Sequence, residues 1–524
     1  MPLNATPPGA MQPSPMQPTV VEPTVVEPRA TPSTGSGTPR RLAVVAVSAA
    51  LVFGACSSSG DDGTSGDASA VGDQATPEAG DQVSETEPVR QRYVYPDPPV
   101  VPDATVPNSV ATDAIDRIAV GIQNGSLDAD SLAELRSSGD ARHAWFISDL
   151  LRFFQGPDSP RIVATFEDLT GVSLRDDPDL ERSPWLSVTN HLIAWDTPDY
   201  DGYQEDKATI FTQVEEGWTP FFTDADAAID WRYLSWGGVF IDDRPVGDTA
   251  GCPGGCIPSL DDPATTDAAG GSWYSDDRTV FGITVDGESL AIPLNIAEIH
   301  EMFNLDLGDR RLAIPYCTLC GSAQAYFTDQ ADGAPVDGAA EIPVLRTSGL
   351  LTRSNKVMYD LVTSSVFDTF TGAAVSGPLQ DSGVVLPQIT VVRSTWAEWK
   401  LEYPDTQIIA EDGGIGRSYR LDPLGSRDDN GPIFPVGDVD ARLGVQEFVV
   451  GVVLDDGTTI AFPSDAASAT LGAGDAVEAG GVELRESGDG LVALDADTGD
   501  EIAVHEAFWF AWSQFHPDTL VWEP

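Results

Sequence analysis

Two stretches of this chain repeat the same pieces in the same order, and that repeat narrows the folds open to it more than any other feature. The segment Val280-Phe-Gly-Ile-Thr-Val-Asp-Gly-Glu-Ser-Leu-Ala-Ile-Pro293 aligns, with one residue inserted at the turn, on Val449-Val-Gly-Val-Val-Leu-Asp-Asp-Gly-Thr-Thr-Ile-Ala-Phe-Pro463. Each reads as a β-hairpin, two short apolar runs around an Asp-Gly turn, closing on an apolar residue and Pro. Downstream of the first copy stands Trp396-x-x-Trp399-x-x-x-Tyr403-Pro404-Asp405-Thr406, and downstream of the second Trp509-x-x-Trp512-x-x-x-His516-Pro517-Asp518-Thr519. In each, the paired Trp share one face of a short helix stopped by Pro, the first capped by Thr395 with Glu398. Two matches in register predict two related β-rich lobes, spanning about 237–435 and about 436–524.

Ahead of these, between Val110 and Trp236, apolar residues fall at helical spacing, as in Ile115, Ile118, Ile122 and then Trp145, Phe146, Leu150, Leu151, Phe154. The fold class expected is therefore α+β: an N-terminal helical domain over 104–236, followed by a β-rich domain over 237–524 built as two related lobes. Further upstream, Arg40 and Arg41 precede the apolar run Leu42 to Phe53, which closes on Gly54-Ala55-Cys56. A basic pair, a short apolar stretch and small residues before a cysteine resemble a bacterial lipoprotein signal, so 1–56 reads as a Pro-rich extension and signal peptide with Cys56 as the acylated residue. Residues 57–103 are Gly, Ser, Asp, Glu and Pro with few large apolar side chains and read as a disordered acidic tether. The location this predicts is the extracytoplasmic face of the cell membrane, the lipid anchor making the membrane a partner.

Against 83 Asp and Glu the chain carries only 28 Lys and Arg, a formal net charge of -55, which excludes nucleic acid as a partner. The lysines are Lys207, Lys356 and Lys400 alone, the remaining cations being Arg. No Gly-rich phosphate loop, Gly-x-Ser-x-Gly elbow or hydrolase-like acid pair stands out.

Apart from Cys56 the cysteines form two close pairs, Cys252-Pro-Gly-Gly-Cys256 and Cys317-Thr-Leu-Cys320. The first, in a Gly-Pro loop, suits a structural disulfide. The second brings its sulfurs within reach of each other, which serves either a reversible dithiol or two corners of a metal site. Arg311 to Pro315 and Gly321 to Phe327 both read as strands, so the motif sits on a hairpin knuckle, not at the helix start of a thioredoxin fold. Just upstream, Asn295-x-x-Glu298-Ile-His-Glu-Met-Phe-Asn304 reads as a short helix with a capping-box start and with His300 and Asn304 on a common face. A zinc-protease helix would need a second His where Asn304 stands.

Several segments together resemble a widespread bacterial group catalogued as domain of unknown function 3179. They are Cys256-Ile-Pro-Ser-Leu-Asp-Asp-Pro263, Ile299-His-Glu-Met-Phe-Asn304, Tyr316-Cys-Thr-Leu-Cys-Gly-Ser322, Ser348 to Asn355 with Met358-Tyr-Asp360, the Trp396 to Thr406 helix, and Phe508 to Thr519. The resemblance covers roughly Trp236 to Pro524. It implies redox-active sulfur or selenium chemistry around the cysteine motif and brings no settled reaction with it.

Three readings follow. In the leading one, Cys317 and Cys320 are a thiol redox site with His300 and Glu301 close by, His300 lowering the thiol pKa or carrying the proton. In the second, His300, Cys317 and Cys320, completed by Cys252 or Cys256, bind zinc or copper. In the third, all four cysteines are staples of a module that presents an acidic, aromatic-rich surface to an envelope protein. The partner of the site, a small molecule or an envelope protein, stays open.

Overall fold

The computed structural model of the protein describes residues 93–102, 109–154, 156–252, 254–425 and 431–524. The expected signal peptide with Cys56, and the expected tether as far as residue 92, lie outside the described residues. Tyr93 and Tyr95, at the end of that stretch, pack edge-on against His191, and Trp195 donates its indole N–H to the Pro96 carbonyl at 2.7 Å. Among the described residues no helix is long and apolar enough to cross a membrane.

Ahead of the sheets, helices run from Ser109–Gln123 to Thr219–Phe222. Local chemistry sets the ends of these helices. Asp128 accepts from the backbone N–H groups of Asp130 and Ser131 to start Ala129–Ser137, Ser183 does the same for Pro184–Ala194 through Leu186, and Gly171, at φ 72°, ends Ser159–Thr170. These helices do not close a core among themselves. Trp145, Phe146, Phe166 and Trp218 are buried in one cluster with Leu350, Leu351, Val357 and Tyr359, which belong to a sheet more than a hundred residues downstream. Trp218 donates to the Ser348 carbonyl at 2.7 Å, and Arg152 donates to the Trp236 carbonyl at 2.7 Å while its guanidinium stacks on Trp185, Trp236 and Phe434.

The expected α+β plan, a helical domain followed by two β lobes, is corrected by the sheets. Among the described residues there are five, of four to six strands, the blades of a five-bladed β-propeller, and the helices before Trp231 pack onto one of them. That first sheet pairs Leu234–Trp236, Leu345–Thr352, Asn355–Asp360 and Val366–Asp368. The second is built on the hairpin of Met302–Leu307 and Arg310–Cys317, flanked by Ala325–Phe327 and Leu260–Asp261. The two duplicated hairpins found two further sheets of matching order. In one, Val392–Thr395, Thr279–Val285, Glu288–Pro293 and Gln407–Ile409 lie side by side; in the other, His505–Phe508, Phe448–Val453, Thr459–Pro463 and Leu520–Val521 do. In both the last strand joins in parallel. The fifth sheet is the meander from Val477–Ala479 to Glu501–Ile502.

The duplication extends to side chains. Trp399 donates its indole N–H to Thr406 Oγ1 at 3.0 Å and lies 4.2 Å, centroid to centroid, from Tyr403; Trp512 donates to Thr519 Oγ1 at 3.1 Å and lies 4.2 Å from His516. The Asp286-Gly287 turn of the first hairpin has φ 53° and 86°, the pair of positive values that a two-residue turn matched to strand twist demands.

Neighbouring blades are tied by polar bonds. Asn304 exchanges two hydrogen bonds of 3.0 Å with the backbone of Leu345, and Arg346 grips Asp261 with both terminal nitrogens at 2.8 and 2.7 Å. The Val391 N–H donates to the Val504 carbonyl at 3.1 Å, and the Phe508 N–H donates to the Cys320 carbonyl at 2.8 Å, binding the knuckle to the last duplicated sheet.

Candidate functional site

Strand Arg310–Cys317 turns back on Ser322–Ala323, with Cys317 opposite Ser322, so Cys317 to Cys320 form the tip of a hairpin knuckle as the sequence suggested. The tip closes on itself through the Cys320 N–H to the Cys317 carbonyl, 3.2 Å. Gly321, at φ 61°, has its Cα face covered by Phe448 and Phe508, which leaves no room for a side chain. Both thiols are free and buried, 1% exposed at Cys317 and 0% at Cys320.

The two sulfurs are unlike. Burial pushes the Cys317 thiol up, but the hydrogen bond from Cys320, the backbone N–H of Lys356 and the Lys356 ammonium outweigh it, and the net direction is down. Cys320 moves well up, by burial and by donating its proton to the partner that holds the charge. Its S–H has a second acceptor, the Ser354 carbonyl at 3.3 Å.

Lys356, fully enclosed, is the cation of the site. Its ammonium donates to the Glu301 carbonyl, to Glu301 Oε2 at 3.5 Å and to the Tyr316 carbonyl at 3.3 Å. Burial pushes its pKa down, opposed by Glu301 and Cys317. Glu301 also accepts from the Thr318 hydroxyl at 2.9 Å, so the carboxylate and the knuckle are one network. The helix carrying these residues is shorter than the sequence suggested. It runs Leu294–His300 with Pro293, not Asn295, at its start and no side-chain cap, and it stops because Glu301 turns left-handed at φ 52°. Asn304 consequently lies on the following strand and not on a face shared with His300.

His300 is buried with both ring nitrogens engaged, Nδ1 at 2.6 Å from the Pro258 carbonyl and Nε2 at 2.7 Å from the Tyr419 hydroxyl. Donation from Nδ1 to the carbonyl and from Tyr419 to Nε2 fixes the neutral tautomer. Burial brings its pKa down to about 4 and that of Tyr419 up to about 12.

Cys252 and Cys256 are joined in a disulfide, their Cα atoms 5.3 Å apart. Asp242 lies beneath it, 3.6 Å from Cys256 Sγ, held by Arg244 Nε at 2.7 Å and by the Ser259 N–H at 2.7 Å. Donor atoms of Asp242, Cys252 and Cys256 fall within 4.8 Å of one another, the spacing of a metal site. With the sulfurs bonded to each other, only the carboxylate remains to donate. Among the described residues, His300, Cys317 and Cys320 do not form such a group.

One cavity of about 1200 Å³ has Cys252, Cys256, His300, Glu301, Cys317 and Lys356 in its wall, with Cys320 and Asp242 behind that wall. Sequence reasoning named the sulfurs, His300 and Glu301 and missed Lys356, although it is one of only three lysines and sits between two motif segments, where a buried partner for an acid was to be sought.

No curated protein and no solved structure matches this chain. Residues 254–494, which contain His300, both knuckle cysteines and Lys356, match the family described as "Protein of unknown function (DUF3179)".

Proposed function

We propose that this cavity houses a thiol–disulfide redox site in which Cys317 attacks and Cys320 resolves. The asymmetry of the two buried thiols carries the reading: the sulfur that faces the cavity is the one whose thiolate is favoured, and the sulfur behind it keeps its proton. In the step proposed, Cys317 thiolate attacks a substrate disulfide, one substrate sulfur leaving as thiolate and taking a proton. Cys320, losing its proton, then attacks Cys317 Sγ; the second substrate thiol departs and a Cys317–Cys320 disulfide remains. Two electrons pass from the protein dithiol to the substrate; of the two protons on the product thiols, one comes from Cys320 and the other from water.

Lys356 stabilises the Cys317 thiolate, and Glu301 keeps that ammonium in place. His300 acts as a positioning residue that fixes Tyr419 at the cavity wall, being neutral at ordinary pH. The compartment we propose lies outside the cytoplasmic membrane, with Cys56 as the lipid anchor; support comes from the Cys252–Cys256 disulfide, a bond that persists in oxidising surroundings.

The test is a redox titration of the native protein followed by mass spectrometry of alkylated cysteines. A reversible two-electron couple at Cys317 and Cys320 above about -300 mV supports the reading; two thiols that neither oxidise nor alkylate without denaturant would overturn it.

A further inference from the structure

The wall of the cavity inverts the charge balance of the chain. Overall the acids outnumber the bases about threefold, 83 to 28. Around the cavity Arg244, Lys356, Arg417 and Arg420 face three carboxylates, those of Asp248, Glu298 and Glu301. Two of the cations are already committed: Arg244 to Asp242, to Ser259 and to the Asp248 and Ala250 carbonyls, and Lys356 to Glu301. Arg417 and Arg420 are different. They stand on the loop after Gly413, Gly414 and Gly416, and among the described residues neither has a carboxylate within ion-pair distance. Arg417 lies 5.6 Å from the Tyr419 ring centroid, and its charge reaches His300, whose Nε2 the Tyr419 hydroxyl holds.

We infer that the redox cavity takes a low-molecular-mass disulfide bearing a carboxylate or another anion, held by Arg417 and Arg420 while its sulfur faces Cys317. The inference rests on the redox reading above and adds the class of substrate. In so acidic a protein an anionic small molecule is repelled from most of the surface, and a mouth with two uncommitted guanidinium groups is where that field is locally reversed. Arg also offers the fork that matches a carboxylate. The chemistry is the exchange already balanced: the probe disulfide is reduced to two thiols while Cys317 and Cys320 become a disulfide.

Oxidation of the reduced full chain is to be followed with two probes, the doubly anionic bis(nitrobenzoate) disulfide and a neutral dipyridyl disulfide, each rate divided by that probe's rate with a free small thiol. The expected result is a preference of about tenfold for the anionic probe at low salt, collapsing in high salt and in Arg417→Gln/Arg420→Gln, with Arg420→Gln alone intermediate. A preference that is absent in the parent chain, or that survives in the double variant, overturns the inference while leaving the redox site standing. Failure of both probes to oxidise the knuckle overturns the redox reading and this inference with it. Circular dichroism of the variants excludes misfolding as the cause of a lost preference.

Discussion

The six-membered ring of Trp512 occupies the place that a Cβ on Gly451 would need, 2.0 Å from it, and Trp399 covers Gly282 in the same way at 2.3 Å. Each glycine pairs across its hairpin with an alanine, Gly451 with Ala461 and Gly282 with Ala291, so the sheet offers each indole a flat floor. Replacing either glycine by Ala forces an indole out of a packed core. Gly451→Ala and Gly282→Ala should each cost about 3 kcal/mol in urea denaturation, whereas Gly287→Ala, with open space around it but φ 86°, should cost about 1 kcal/mol. Equal losses at all three positions would show that the indoles yield.

Lys356→Met removes the ammonium beside Cys317 and leaves the Glu301 carboxylate buried without its counter-charge. The Cys317 thiol, held down by Lys356 and pushed up by Glu301, should then ionise at higher pH. The rate of alkylation against pH reads this directly; its midpoint should move up by about a unit or more. A midpoint that stays put would assign the thiolate's stability to the knuckle hydrogen bonds alone.

The buried histidines should draw stability down on mild acidification, against an opposite pull from Asp206, whose carboxyl burial raises to about 6. Burial holds His300 at about 4, His516 at about 4 and His505 at about 3 in the folded chain, against 6.5 for the free side chain. Between those values the unfolded chain binds more protons than the folded one, so stability is complete above pH 6.5 and is lost as pH drops towards 4. From pH 7.5 to 5.5 the linkage amounts to about 1 kcal/mol for each of the buried His300 and His505, and to less for the half-buried His516, which solvent screens. His300→Gln, which can keep one donor and one acceptor, should flatten the slope measured by denaturation at those two pH values; an unchanged slope would mean that His300 protonates as easily folded as unfolded.

The proposed anchor is tested outside the described residues. Cys56→Ser should release the protein into the medium or leave an unprocessed precursor, as judged by detergent partition and mass. A mature, detergent-requiring form of that variant would place the anchor elsewhere.

What could be read from the sequence was local. The hairpins, the Trp helices and the knuckle are each specified by a run of neighbours: an Asp-Gly turn, a Thr395 side chain accepting from the Glu398 N–H, two strands meeting at Cys317 and Ser322. The blade count was hidden because strands of one sheet come from remote segments, as Leu234–Trp236 does beside Leu345–Thr352, and periodicity carries no pairing information. A left-handed Glu301 broke the expected helix, since nothing in its side chain announces that conformation. Lys356 was missed for the same reason as the blades: its partner lies 55 residues upstream and is met only in the folded chain.

The bond from Phe508 to the Cys320 carbonyl joins residues 188 positions apart (508 less 320). A ribosome makes the knuckle long before it makes the strand that covers it, and contacts of that sequence separation form late. Until the strand His505–Phe508 and the helix after it are made, the knuckle lacks the cover that buries both thiols. Burial of the two sulfurs is thus completed from far along the chain, by Ala507, Trp509 and their neighbours, whereas the charges that make the sulfurs unlike, Lys356 and Glu301, lie close to the knuckle in sequence and precede that cover.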